Sequence, residues 1–158
     1  VTKPIHGSKG RGVELTEGNK YTLLSKIMSL PEDYLVQEVI PNQGDLRVLT
    51  YNGEIFGRPI YRFNQNQFVN NVSAGGSWEY LARDLSSREK LMVQDISSRL
   101  LNEGVYFAGL DFIEGRLCEI NTKAPGFYHE ITSSFPEQIN FFIVLNRPNS
   151  INLFINCS

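Results

Sequence analysis

Apolar residues recur along this chain with two different periods, and each change of period marks a passage between strand and helix. Val1 to Pro4 reads as the end of a strand. Val13 to Leu15 reads as a short return strand after a glycine-rich loop, Gly7-Ser8-Lys9-Gly10-Arg11-Gly12. Over Tyr21–Ser29 the residues Leu23, Leu24, Ile27 and Met28 have helical spacing, and Pro31 ends the run. Three strands are predicted next, Tyr34–Ile40, Leu46–Tyr51 and Glu54–Phe63, with turns at Gln43-Gly44 and Asn52-Gly53. Asn-Gly is a strong hairpin signal. Positions 64–77 are rich in Asn, Gln and Gly and read as a mobile loop. Ser86 and Glu89 then form a capping box for a helix whose apolar face carries Met92, Ile96 and Leu100, with Gly104 just past its end. Tyr106, Phe107 and Phe112 read as core. After Pro136 a weak helical stretch runs into an Asn-rich end of no assignable pattern. The mixture predicts an α+β fold.

Gly109 to Asn121 departs from this regularity. It places Asp111, Glu119 and Asn121 in two otherwise strand-like runs joined by a Glu114-Gly115 turn. Carboxylates are rare in apolar strands unless a partner compensates their desolvation. Converging oxygen ligands suit a hard cation such as Mg²⁺. The faces depend on the loop. A two-residue loop pairs Asp111 with Cys118 and turns it away from Glu119, whereas a three-residue Glu114-Gly115-Arg116 loop pairs Asp111 with Glu119. The three-residue loop is the expectation here because it gathers the acids. A surface hairpin with solvated acids is the competing reading.

Composition changes this picture little. The apolar and charged fractions are ordinary and the net charge is −2, with no Lys/Arg block that would favour nucleic acid or a membrane surface. Cys118 and Cys157 make no disulfide framework, no apolar run in the sequence reaches membrane length, and no signal peptide is expected. A reducing, cytoplasmic setting is expected. The glycine loop lacks the Lys-Ser/Thr ending of a Walker A loop; its bare N–H groups beside Lys3, Lys9 and Arg11 suit phosphate, and a plain turn is the alternative. Singly, Arg47 and Arg62 read as solvated strand residues and Asn71 as a turn residue. His6 and His129 have no ligand-spaced partner.

In combination, Lys3-Pro4, the Gly7–Gly12 loop, Gln37-Glu38-Val39-Ile40, Asp45-Leu46-Arg47, Arg62, Asn71 to Gly76, Gly109-Leu110-Asp111 and Glu119-Ile120-Asn121 resemble the ATP-grasp superfamily. The chain is most similar to the bacterial glutathione synthetase type, with the ribosomal-protein glutamate ligases as relatives. The resemblance covers residues 1–142 and leaves 143–158 as an unassigned tail. It implies an antiparallel sheet flanked by helices, with the first part of the ATP lobe missing, so that this fragment alone would be inactive. It further implies a Mg²⁺-dependent (or Mn²⁺-dependent) carboxylate–amine ligase working through an acylphosphate. ATP would meet Lys3, Gly7, Ser8, Gly10, Gly12, Gln37, Glu38, Val39, Ile40 and Asp45. The metal would sit at Asp111, Glu119 and Asn121, and Arg47, Arg62 and Asn71 would serve catalysis. Implied partners are small carboxylate and amine substrates, with no nucleic acid and no membrane; homo-oligomerisation stays open. Two departures stand out. Positions 64–76 match the family's lid loop, where Val69 replaces the arginine that relatives carry two residues before the Asn (Asn71 here), and His129 stands where glutathione synthetases tend to have Arg. Val69 favours, as a second reading, a degenerate module that binds a nucleotide or partner without catalysis.

Overall fold

The computed structural model describes residues 1–5, 11–16, 18–29, 33–65 and 69–134. Its elements run β1 (Thr2–Pro4), α1 (Lys20–Met28), β2 (Tyr34–Val36), β3 (Asp45–Tyr51), β4 (Glu54–Phe63), a 3₁₀ turn (Val72–Ala74), β5 (Ser77–Tyr80), α2 (Ser87–Asn102), β6 (Phe107–Ile113), β7 (Arg116–Asn121) and α3 (Tyr128–Ser134). β1 and β2 form a small sheet, and the other strands form a second in the order β5-β4-β3-β6-β7. This is the expected α+β class. The weak helix after Pro136 and the tail at 143–158 lie outside the described residues.

The chain divides into two units, the first made of Val1–Arg47, Pro59–Leu85 and Leu110–Glu119. In it β1 and β2 pair antiparallel, Lys3 opposite Leu35. The return strand expected at Val13–Leu15 shrinks to one bridge, where Thr2 and Glu14 exchange two backbone hydrogen bonds of 2.9 Å. β2 stops at Val36 rather than Ile40; the Gln37 N–H still reaches the Val1 carbonyl at 2.9 Å, and Pro41 then lacks the N–H to extend a ladder. Asn19 caps α1, its Oδ1 accepting the N–H groups of Tyr21 and Thr22 at 3.0 and 3.1 Å. β5 runs antiparallel to β4, with Arg62 opposite Trp78 and Ile60 opposite Tyr80. Leu46, Ile60, Leu81, Leu85, Leu110 and Phe112 are this unit's buried apolar residues.

The second unit comprises Val48–Arg58, Ser86–Gly109 and Ile120–Ser158. Asn52 and Gly53, at φ 50° and 85°, make the tight turn between β3 and β4 that their sequence predicts. α2 begins with the expected capping box: Ser86 accepts from the Glu89 N–H, and the Glu89 carboxylate accepts from the Ser86 N–H at 2.7 Å. It ends as a Schellman motif, with Gly104 N–H on the Leu101 carbonyl and Val105 N–H on that of Leu100. Its deeply buried positions are Glu89, Val93 and Ser97; Met92, Ile96 and Leu100 flank them, half-buried. The face sits one residue round from the expected one because Ser97 Oγ donates to the Gly53 carbonyl at 2.7 Å, bringing a small polar residue inward. Phe56, Phe107 and Tyr128 form an aromatic trio with centroids 5.8–6.0 Å apart. Tyr106, expected in the core, is exposed. Among the described residues no helix is long and apolar enough to cross a membrane.

Gly57 marks a constraint inside β4. Its φ is +70°, and a Cβ there would lie 2.2 Å from Ile131 Cγ2. Gly57→Ala is expected to destabilise the protein by about 2–4 kcal/mol, combining left-handed strain with overpacking. Urea unfolding followed by Trp78 fluorescence measures it; a loss under about 0.5 kcal/mol would show that the site relaxes freely.

Candidate functional site

Residues two apart on a strand share a face, so Asp45 and Arg47 of β3 project together. β3 lies between β4 and β6, which bring Arg62 and Asp111 to the same two side chains. Arg47 grips Asp111 with a two-pronged fork, Nε to Oδ1 at 2.7 Å and Nη2 to Oδ2 at 2.6 Å. Arg62 donates through Nη2 to the same Oδ2 at 2.9 Å and through Nε to Asp45 Oδ1 at 2.6 Å. All four side chains are buried, Arg62 and Asp111 with 4% and 5% of their surface exposed. Two carboxylates and two guanidinium groups balance in charge. Burial pushes the Asp45 carboxyl above its ordinary value, against the pull of the Arg62 charge and hydrogen bond. For Arg62 burial acts to lower the pKa, but Asp111 and Asp45 overcome it and raise the value above the usual one.

The hairpin departs from expectation. β6 runs to Ile113 and β7 starts at Arg116, so the loop is the two residues Glu114 and Gly115, both left-handed at φ 48° and 68°. Paired left-handed residues match the twist of the flanking strands, as in a type I′ turn. The three-residue loop is therefore corrected. Counting back from this turn sets Asp111 opposite Cys118, not Glu119, and turns Asp111 and Glu119 to opposite faces. The Cys118 thiol agrees: burial raises its pKa, while Ile113 and Lys3 lower it and the Asp111 and Asp45 charges add to the rise. Among the described residues no three His, Cys, Asp or Glu side chains converge as a metal site. Glu119 is exposed, and Asn121 is engaged with Ala124, accepting its N–H at 3.2 Å. In this arrangement the expected metal set does not fit: its donors are hard oxygens, but Asp111 is committed to two guanidinium groups.

The remaining expected residues are scattered. Gly7, Ser8 and Gly10 lie outside the described residues, and Gly12 takes φ 74° beside Pro4. The Gln37 backbone bonds Val1 in both directions, and the Ile40 carbonyl accepts from Asn42 Nδ2 at 3.0 Å. Glu38 and Val39 are exposed past the end of β2, and Arg116 stands 3.6 Å from Glu38. Asn71 Oδ1 caps the 3₁₀ turn by accepting the Ser73 N–H at 3.0 Å. Its buried neighbour Asn70, overlooked in the sequence, donates to Asn42 Oδ1 at 2.8 Å. The mutual pairing of Asp45, Arg47, Arg62 and Asp111 was also overlooked. Its one sequence signal is opposite charges two apart in the apolar run Asp45-Leu46-Arg47-Val48.

The family model for the prokaryotic glutathione synthetase ATP-grasp domain matches residues 1–136. Glutathione synthetase of Neisseria meningitidis serogroup A is 33% identical over 83% of this chain and 43% of its own length. That of Thermosynechococcus vestitus is 30% identical over 83% of the chain and 42% of its own. The chain therefore spans less than half the length of these relatives. A solved D-alanine–D-alanine ligase from Bacillus anthracis, complexed with ATP, aligns with 66% of this chain and 36% of its own at 16% identity and a TM-score of 0.45, a likeness too slight to build on.

The cluster itself predicts a stability effect. Arg62→Leu leaves two buried carboxylates to one guanidinium and is expected to cost about 3–5 kcal/mol. Adding Asp45→Leu restores the charge balance and should recover much of that loss in a double-mutant cycle. Purely additive losses in urea unfolding would show that the pair is not coupled.

Proposed function

The chain belongs to the prokaryotic glutathione synthetase ATP-grasp family, and from that premise we propose that it forms the nucleotide-handling part of an ATP-dependent carboxylate–amine ligase. The observation that carries the proposal is the buried network joining Arg47 and Arg62 to Asp45 and Asp111, within a chain that matches the family along most of its length. In the proposed reaction a substrate carboxylate oxygen takes the γ-phosphoryl group of ATP as the bond to ADP breaks. An amine nitrogen then attacks the acyl carbon, inorganic phosphate leaves, and the amine gives up a proton. Both steps develop negative charge on oxygens. Guanidinium groups held beforehand by buried carboxylates answer such charge without reorganising.

Lys3, on β1 opposite Leu35, is proposed to contact the nucleotide phosphates, as the family match implies. The segment from Gln37 to Ile40 is proposed to receive the base and ribose, with Glu38 exposed for hydroxyl contacts. Mg²⁺, the counter-ion of ATP in this proposal, would neutralise phosphate charge when bound. Of its three expected ligands, Asp111, Glu119 and Asn121, only Glu119 offers an exposed carboxylate in this arrangement, so no step is routed through the ion. The degenerate-module reading is favoured by one observation, Val69 at the place of the lid arginine.

Phosphate release from Mg²⁺-ATP in the presence of small carboxylates and amines separates the two readings, with isothermal titration of Mg²⁺-ATP as the binding control. The ligase reading expects release that depends on both substrates; binding without release would leave the degenerate module.

A further inference from the structure

We propose that Asp45 is a positioning residue that aims the Arg62 guanidinium; its activity readout rests on the ligase reading above, while its structural readout does not. The family resemblance places Asp45 at the nucleotide. The geometry points elsewhere: Asp45 is 8% exposed, and its Oδ1 accepts from Arg62 Nε at 2.6 Å.

A guanidinium is a flat fork that needs two points of attachment to fix its plane. Arg62 has one at Asp111, through Nη2 at 2.9 Å, but that oxygen already accepts from Arg47 Nη2 at 2.6 Å. Asp45 supplies the second point, on the Nε edge. Without it Arg62 would hang from a shared oxygen and swing.

Backbone geometry holds Asp45 in place for this task. Gly44, immediately before it, lies so close to β4 that a Cβ would stand 2.5 Å from the Arg62 carbonyl and 2.4 Å from the Tyr61 ring. The start of β3 is therefore set against Arg62 by main-chain contact, and Asp45 meets the guanidinium at short range. The raised Asp45 carboxyl adds support, because burial disfavours its charge more than Arg62 favours it.

Nitrogen-15 NMR of the arginine side chains tests the hold directly in this chain. In the unaltered protein the Arg62 Nε–H should exchange slowly with solvent. Asp45→Ala should abolish that protection, and Asp45→Asn, which keeps an acceptor oxygen, should restore it in part. In phosphate release by the protein carrying this chain, Asp45→Ala should lower kcat roughly 10–100-fold with the KM for ATP within about twofold. Asp45→Asn should recover part of that kcat. An unchanged Arg62 Nε–H in Asp45→Ala would overturn the proposal. A tenfold rise in the ATP KM with kcat preserved would overturn it too, by placing Asp45 against the nucleotide. If Asp45→Ala does not fold, the same two readouts on Asp45→Asn decide: unaltered Nε–H exchange with lowered kcat would count against positioning. Should the unaltered protein release no phosphate, the ligase reading falls and the exchange measurement alone judges Asp45.

Discussion

Four charged side chains buried in the sheet set the terms for the rest of the first unit. Removing one ion from water costs several kcal/mol, and only close, well-directed partners offset it. Arg47, Arg62, Asp45 and Asp111 come from β3, β4 and β6, and each of their short ion pairs joins two different strands. A one-residue slip of any of them would swing its charged group to the opposite face and leave the others unpaired. The network therefore penalises every wrong register strongly. Apolar side chains such as Leu46 and Leu110 favour burial but tolerate alternative partners; the ion network does not.

The same interaction shapes chemistry. Arginines that float in solvent must be ordered when a ligand arrives, whereas these are already fixed by oxygen atoms at 2.6–2.9 Å. Pre-ordering of this kind favours charge that appears during a reaction over charge already present. Exposed pairs behave differently. Arg116 and Glu38, 3.6 Å apart at the surface, are screened by salt and hold little.

The legible parts of the fold were those with local causes. The capping box of α2, the Asn52-Gly53 turn and the stop after Met28 all follow from residues adjacent in sequence. β5 escaped notice because Ser77–Tyr80 is too short for alternation to register, and α3 because Tyr128–Ser134 has few apolar positions. The site was half visible. A carboxylate at Asp111 inside an apolar strand announces a partner, but the partner's identity depends on strand order, which no local pattern carries. Nothing local to Ile113–Arg116 separates a two-residue turn from the longer one that would set Glu119 beside Asp111. Glu114, though not glycine, accepts the left-handed conformation that a two-residue turn demands. The buried face of α2 shifted for a related reason, since Ser97 turns inward to a carbonyl that only tertiary structure supplies.

The turn at Glu114-Gly115 carries a parity rule for the whole hairpin. Its even length assigns Asp111 and Cys118 to one side and leaves Glu119 on the other. Inserting or deleting a single residue would exchange the two memberships, whereas a change of two would preserve them. Homologous hairpins of odd and even loop length thus present inverted sets of side chains from nearly identical strand sequences. Equal spacing between two acids in an alignment is consequently no guarantee that they meet in space.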